Sequence, residues 1–322
     1  MHHLIKIAVI FALLSSAAQA KETGRIFVSN EKSNDVYVFD KDFNLIKSID
    51  TSQRPRDMKL NANKTLLFVA CGDDDIIDII DVHTLEIVDG IPTGPSPEVF
   101  EFSADETQIY VSNEEDSMME IIDIESRITI HDVPTGAEPE GVALAPEADF
   151  IYVASEVADM VHVVDAENGV VTDNIIVGTR PRRFVMTPDT DELWVSAELS
   201  SEIYIIDRTS NEVKDVLEFL PPGFRPEDVT PVGMALTRDG SIGLISLGRA
   251  NHVAIIDANS KETLAYVLVG RRAWSVALSA DEKIAVVANG LSDDITLIDM
   301  ETFRPIRSIP VGRVPHTVVI DD

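Results

Sequence analysis

The chain is predicted to be all-β, a seven-bladed β-propeller with four-stranded blades, on three observations: a seven-fold internal repeat, short β-branched strand runs at fixed offsets, and complementary ends. The recurring strand reads Phe27-Val28-Ser29-Asn30, Phe68-Val69-Ala70-Cys71, Tyr110-Val111-Ser112-Asn113, Tyr152-Val153-Ala154-Ser155, Trp194-Val195-Ser196-Ala197, Leu244-Ile245-Ser246 and Val286-Val287-Ala288-Asn289. The step is about 42 residues, with a single longer step of about 50, which is the period of a propeller or solenoid.

A second run in each repeat ends in aspartate, from Val38-Phe39-Asp40 and Ile79-Ile80-Asp81 to Ile255-Ile256-Asp257 and Leu297-Ile298-Asp299. Runs this short and β-branched are strands. Thr84, Ser126, Asn168, Ser210, Ser260 or Thr302 stands three residues later, so each aspartate opens a turn and accepts a backbone N–H; a metal ring is the less economical reading. Polar connectors such as Ser103-Ala104-Asp105-Glu106, Thr187-Pro188-Asp189-Thr190 and Thr237-Arg238-Asp239-Gly240 join the first and second strands.

The ends predict closure. The chain enters on a second strand, at Arg25 to Ser29, and finishes on a first strand, at His316 to Ile320. Pairing the two completes one blade, with the C-terminal strand innermost, and removes the open edges of the array.

Residues 1–20 read as a cleaved secretory signal and residues 21–322 as the propeller: Lys6 precedes the apolar run Ile7 to Leu14 and the small-residue triplet Ala18-Gln19-Ala20. The expected location is the periplasm, as a protein with no membrane insertion and as a monomer. Cys71 is the single cysteine, which excludes a disulfide framework and a C-x-x-C-H haem attachment and marks Cys71 as a strand-end packing residue. The net charge of −30 opposes binding to nucleic acid and anionic lipid and would steer a basic protein partner.

Tyr110-Val111-Ser112-Asn113, the Ile-Ile-Asp strand ends and the Gly-x-x-Pro step (Gly136-Ala137-Glu138-Pro139, Gly178-Thr179-Arg180-Pro181, Gly312-Arg313-Val314-Pro315) resemble the YVTN family of β-propeller repeats over essentially the whole chain after residue 20. Seven such repeats behind a signal segment are most similar to the propellers associated with catabolism dependent on pyrroloquinoline quinone (PQQ). That resemblance implies a non-catalytic binding or scaffolding role beside quinoprotein alcohol oxidation, with a quinoprotein dehydrogenase, cytochrome c or ABC-transporter component as partner. It brings no catalytic motif.

Propellers bind at the mouth of the central channel, and here the Gly-x-x-Pro loops should form it. The residue after the proline is Arg56, Glu98, Glu140, Arg182, Val232, Trp274 and His316 around the ring; two positions earlier stand Arg54, Ser96, Glu138, Arg180, Thr230, Arg272 and Val314. Repeats that otherwise agree diverge at these positions, as they would where a ligand is read. Arg54, Arg56, Glu98, Glu138, Glu140, Arg180, Arg182, Arg272, Trp274 and His316 are therefore the candidate binding residues. Guanidinium groups suit carboxylate or phosphate, and Trp274 offers a flat face. Two readings stay open: these arginines receive a ligand, or they pair with glutamates of adjacent blades and fasten the mouth.

The long step, 218–231, contains Pro221-Pro222-Gly223-Phe224-Arg225-Pro226, and Phe219, Phe224 and Arg225 are expected to form a lid or docking loop over the opening. His83, His131, His162 and His252 fall at unrelated repeat positions, and Asp73-Asp74-Asp75 lacks calcium-loop spacing, so neither a catalytic nor a metal site is expected. No cofactor is predicted as resident. Two alternatives remain: a lactonase-type enzyme using Glu98, Glu140 and His316, and a protein that binds PQQ or another small polycarboxylate through Arg182, Arg272 and Trp274.

Overall fold

The computed structural model describes residues 22–188 and 192–322. The leader expected at 1–20 and part of the connector 187–190 lie outside them. Among the described residues twenty-eight strands form seven four-stranded antiparallel sheets in a ring. Blade 1 combines 315–321 with 25–50; blades 2 to 7 are 55–92, 97–134, 139–176, 181–218, 231–268 and 273–310.

The expected closure is present. The last strand, Pro315–Asp321, is the innermost of blade 1 and pairs with Arg25–Asn30 in the register Ile26↔Ile320, Phe27↔Val319 and Val28↔Val318. Asp321 ties the seam further, accepting the Thr23 N–H at 2.9 Å on its carboxylate and the Gly24 N–H at 2.8 Å on its carbonyl.

Second and third strands are buried on both faces because each blade is covered by a neighbour on either side, which explains why they read as continuous apolar runs such as Leu66–Cys71 and Ile76–Asp81. Outer strands are largely exposed and contribute one buried aliphatic to the inter-blade core, for example Ile91, Val133 and Ile175. Apolar clusters then fill the seams between blades, as where Ile77, Ile79 and Phe68 of blade 2 meet Phe100, Ile109 and Val111 of blade 3.

The aspartates closing the third strands are turn residues, as expected. Asp123 accepts the Ser126 N–H at 2.7 Å, and Asp165, Asp207, Asp257 and Asp299 repeat the contact. Cys71 is fully buried, and burial raises its thiol well above the usual range, in keeping with a packing role.

Two features aim side chains at the channel. First, the residue before each inner strand is left-handed: Arg54, Ser96, Glu138, Arg180, Arg272 and Val314 have φ of 55–64°. A β-branched Val314 pays a steric cost there. The conformation is held from the turn between second and third strands: Arg54 N–H donates to Asn34 at 3.0 Å, Ser96 N–H to Asp75 at 2.9 Å, and Arg272 N–H to Asn251 at 2.8 Å. Asp75 of the acidic run thus has a structural task. Second, inner strands carry a register shift just after their first residue, between Pro55 and Met58, Pro97 and Phe100, Pro139 and Val142, and Pro181 and Phe184. A bulge redirects side chains, and those redirected here are Arg56, Glu98, Glu140 and Arg182.

Candidate functional site

At the mouth these residues form one buried ionic network. Arg54 reaches Glu98 at 2.7 Å, and Arg56 reaches Glu98 at 2.6 Å and Glu140 at 3.2 Å. Arg183 meets Glu140 at 2.8 Å, and Arg182 lies 3.4 Å from Glu140, 3.2 Å from Glu198 and in contact with Glu156. Arg180 joins Glu156 at 2.7 Å, and Arg272 joins Glu198 at 2.7 Å. The pairing reading of the arginines therefore holds for most of them. Glu98 and Glu140 are buried, and Arg56 and Arg182 are nearly so.

Glu156 and Glu198, with Glu31 and Glu114, were missed in the sequence reading. They occupy the column immediately after the second-strand motif, which around the ring reads Glu31, Gly72, Glu114, Glu156, Glu198, Gly248 and Gly290. Extending the repeat alignment by one residue would have exposed them. The counterpart of each, two positions before the inner strand's second residue, is its hydrogen-bonded neighbour: Glu114 N–H donates to Ser96 O, Glu198 N–H to Arg180 O and Gly290 N–H to Arg272 O, each at 2.9 Å.

Burial and charge divide the carboxyl groups. Burial pushes Glu98 well up, against the pull of Arg56, and pushes Glu156 to about 8, helped by the repulsion of Glu140. Burial acts on Glu140 too, but Arg182, Arg183 and Arg56 together hold it well below the ordinary carboxylate range. His316 is kept neutral, by burial first and by Arg56 and Arg183 next; its ring contacts Thr317 Oγ1 at 2.9 Å and Arg183 Nη2 at 3.4 Å.

Above the network opens a cavity of about 450 Å³. Six arginines (Arg54, Arg56, Arg180, Arg182, Arg249, Arg272) and three glutamates (Glu31, Glu114, Glu198) line it, with Trp274, His316, Leu291, Val314 and Gly290 on the blade 7 and blade 1 side. The guanidinium of Arg182 and that of Arg272 each lie 4.8 Å from the Trp274 ring centroid, and the His316 ring lies 5.5 Å from it. The flat face that Trp274 offers thus already serves the protein's own cations. Arg249, unsuspected from sequence, is exposed and has no ion pair among the described residues.

Three expected residues are placed elsewhere. Phe219 is buried in the core between blades 5 and 6 with Trp194, Ile203 and Ile245; Phe224 packs on the same cluster, edge-on to His252 at 5.5 Å; and exposed Arg225 pairs with Asp228 at 2.9 Å. None of them lines the cavity. The aromatic groups of the inserted loop are apolar anchors, which gain more from the inter-blade seam than they would over a charged opening. Glu138 does not line this cavity but an adjoining groove that shares Arg54 and Glu114 with it. Among the described residues no set of three His, Cys, Asp or Glu side chains is arranged to hold a metal ion.

Two propeller families share part of this sequence. The YNCE-like beta-propeller model matches residues 26–150, and the model of the lactonase with a 7-bladed beta-propeller matches residues 91–218. No curated protein matches the chain in sequence. Among solved structures it is similar to Kuenenia stuttgartiensis hydrazine synthase, at 19% identity and TM-score 0.75, covering 89% of this chain and 99% of that one. It is likewise similar to a candidate 6-phosphogluconolactonase from Bacteroides fragilis, at 14% identity and TM-score 0.79, covering 92% and 98%. Dihydro-heme d1 dehydrogenase NirN matches at 12% identity and TM-score 0.71, covering 94% and 76%. At such identities the shared property is the fold.

Proposed function

We propose that this propeller is a non-catalytic, exported binding protein whose channel mouth receives a small organic anion. The cavity lining carries the reading: six arginines against three glutamates make an anion-attracting chamber in a molecule of net charge −30. Arg56 and Arg182 are committed to the buried network, but Arg180, Arg249 and Arg272 keep guanidinium N–H groups facing the opening, suited to forked contacts with a carboxylate. Lining such a chamber with fixed, already paired charges reduces the ordering cost of binding.

The similarity to propellers associated with PQQ-dependent catabolism supports placing this role in the periplasm, beside a quinoprotein dehydrogenase, a cytochrome c or an ABC-transporter component. PQQ, a flat polycarboxylate, belongs to the ligand class the cavity suits. Calorimetric titration with PQQ and with citrate, at matched ionic strength, tests the reading: saturable binding to the wild type that Arg272→Ala weakens at least tenfold is expected, and no binding of either contradicts it. Affinity capture that recovers no dehydrogenase, cytochrome or transporter component would remove the assignment to that system.

A lactonase reading is favoured by the family similarity over residues 91–218. It would draw on Glu98, Glu140 and His316. Against it, Glu140 is clamped by three arginines, and His316, though at the cavity wall, is held by burial and the neighbouring arginines well below its ordinary value, which makes it a weak base. Turnover of gluconolactone by the purified protein, abolished by His316→Ala, would establish it instead.

A further inference from the structure

The column that follows the second strand has two kinds of member. In blades 1, 3, 4 and 5 it supplies a glutamate to the mouth network; in blades 2, 6 and 7 it is Gly72, Gly248 and Gly290. The three glycines are not equivalent. A Cβ on Gly72 would stand 2.7 Å from Arg54 Nη1, so the arginine's own side chain fills that place. A Cβ on Gly248 would collide with Thr230 Oγ1, so the backbone there is closely covered. A Cβ on Gly290 would find nothing nearer than Pro315 O at 3.6 Å and Val314 Cγ1 at 3.7 Å, and Gly290 does not have a positive φ. The space over Gly290 is part of the cavity.

Blade 5 shows what belongs in that space. There Arg180 precedes the inner strand, Glu198 follows the second strand, their backbones are hydrogen-bonded, and the Glu198 carboxylate sits 3.4 Å from Arg180 Nε. Blade 7 repeats the arrangement with Arg272 and Gly290, whose backbones are bonded in the same way, but the carboxylate is missing. Arg272 compensates by reaching across to Glu198 of blade 5 at 2.7 Å, a carboxylate already shared with Arg180 and Arg182. Arg249, next along the rim, makes no close ion pair among the described residues, its charge reaching Asp228 of the inserted loop only at longer range. The surplus of positive charge is felt locally: burial, with repulsion from Arg182 and Arg249, makes Arg272 less readily protonated than an ordinary arginine.

We infer that a carboxylate of the bound ligand takes the place of the glutamate side chain that blade 7 lacks, lying over Gly290 against Arg272 and Arg249, with the rest of the ligand on Leu291, Val314 and Trp274. The inference rests on the anion-binding reading above and adds the position and the group recognised. It makes the group recognised a carboxylate, held on the glycine side of the cavity, where the walls are aliphatic.

The substitution that tests it is Gly290→Glu, with Gly290→Ala as the control for the backbone. The carboxylate supplied in cis should raise the melting temperature above that of Gly290→Ala and should weaken citrate binding at least tenfold, and by more than Gly290→Ala does. Arg249→Ala, an exposed position independent of the buried network, should weaken citrate at least fivefold. Sodium sulfate at the same ionic strength should give no comparable response. Undiminished citrate binding by Gly290→Glu or by Arg249→Ala overturns the inference and leaves the anion-binding reading standing, as does a response to sulfate as large as that to citrate. Absence of citrate and PQQ binding to the wild type overturns the reading itself.

Discussion

Arg56 and Glu98, from the inner strands of blades 2 and 3, meet at 2.6 Å with both side chains withdrawn from solvent. The pair is one link in a network of six arginines (Arg54, Arg56, Arg180, Arg182, Arg183, Arg272) and six glutamates (Glu31, Glu98, Glu114, Glu140, Glu156, Glu198). Burying so many ionisable groups is tolerable because the arginines lie against carboxyl groups, and removal of a charged partner such as Glu140 leaves the arginines around it uncompensated.

Glu140 is the most exacting member, since it faces Arg56, Arg182 and Arg183 together. Glu140→Ala should destabilise the fold by roughly 3–5 kcal/mol in urea unfolding. Asp42→Ala, which breaks the exposed pair with Lys41, should leave the midpoint unchanged.

The protonation of Glu156 couples stability to pH. Its folded-state value, about 8, lies above the ordinary 4.5, so the folded protein holds a proton that the unfolded chain has released across that window. The stabilisation is complete below about 4.5 and is lost as pH rises through about 8. Glu156→Gln, which cannot ionise, should therefore show a shallower fall in melting temperature over this range than the wild type. Ionisation also makes the mouth less positive, so citrate affinity of the wild type should decline over the same interval and that of Glu156→Gln should decline less.

Phe219 tests the placement of the inserted loop. As a buried anchor between blades 5 and 6, its change to alanine should cost roughly 3–5 kcal/mol. Citrate affinity, measured by titration on the folded variant, should stay within about twofold of the wild type; a lid would give the opposite pattern, a small stability change and a large loss of binding.

Ring closure depends on the strand Pro315–Asp321. Deleting residues 315–322 leaves Arg25–Asn30 as an unpaired edge and uncovers Ile26 and Val28. Circular dichroism should show loss of the single cooperative thermal transition.

The fold was legible because seven copies of one pattern reinforce each other. A run such as Tyr110-Val111-Ser112-Asn113 is ambiguous alone and unmistakable when its register recurs around the chain. The mouth was half legible. Divergence among repeats located Arg56, Glu98, Glu140, Arg182 and Trp274, since variable columns in a conserved frame are visible in one dimension. Their mutual pairing was not visible, because Arg56 and Glu140, or Arg272 and Glu198, are brought together by the curvature of the ring across one or two blades. The loop containing Phe219 misled for a related reason: an aromatic residue in a long connection looks exposed until the seam beneath it is known.

An organic carboxylate received at the mouth would lie over Gly290 of blade 7. A crystal structure of the protein soaked with citrate tests this placement most directly. Density for a carboxylate over Gly290, within hydrogen-bond distance of the Arg272 and Arg249 guanidinium groups, is the result expected. Citrate bound at another face, or a mouth unchanged at saturating ligand, would contradict it.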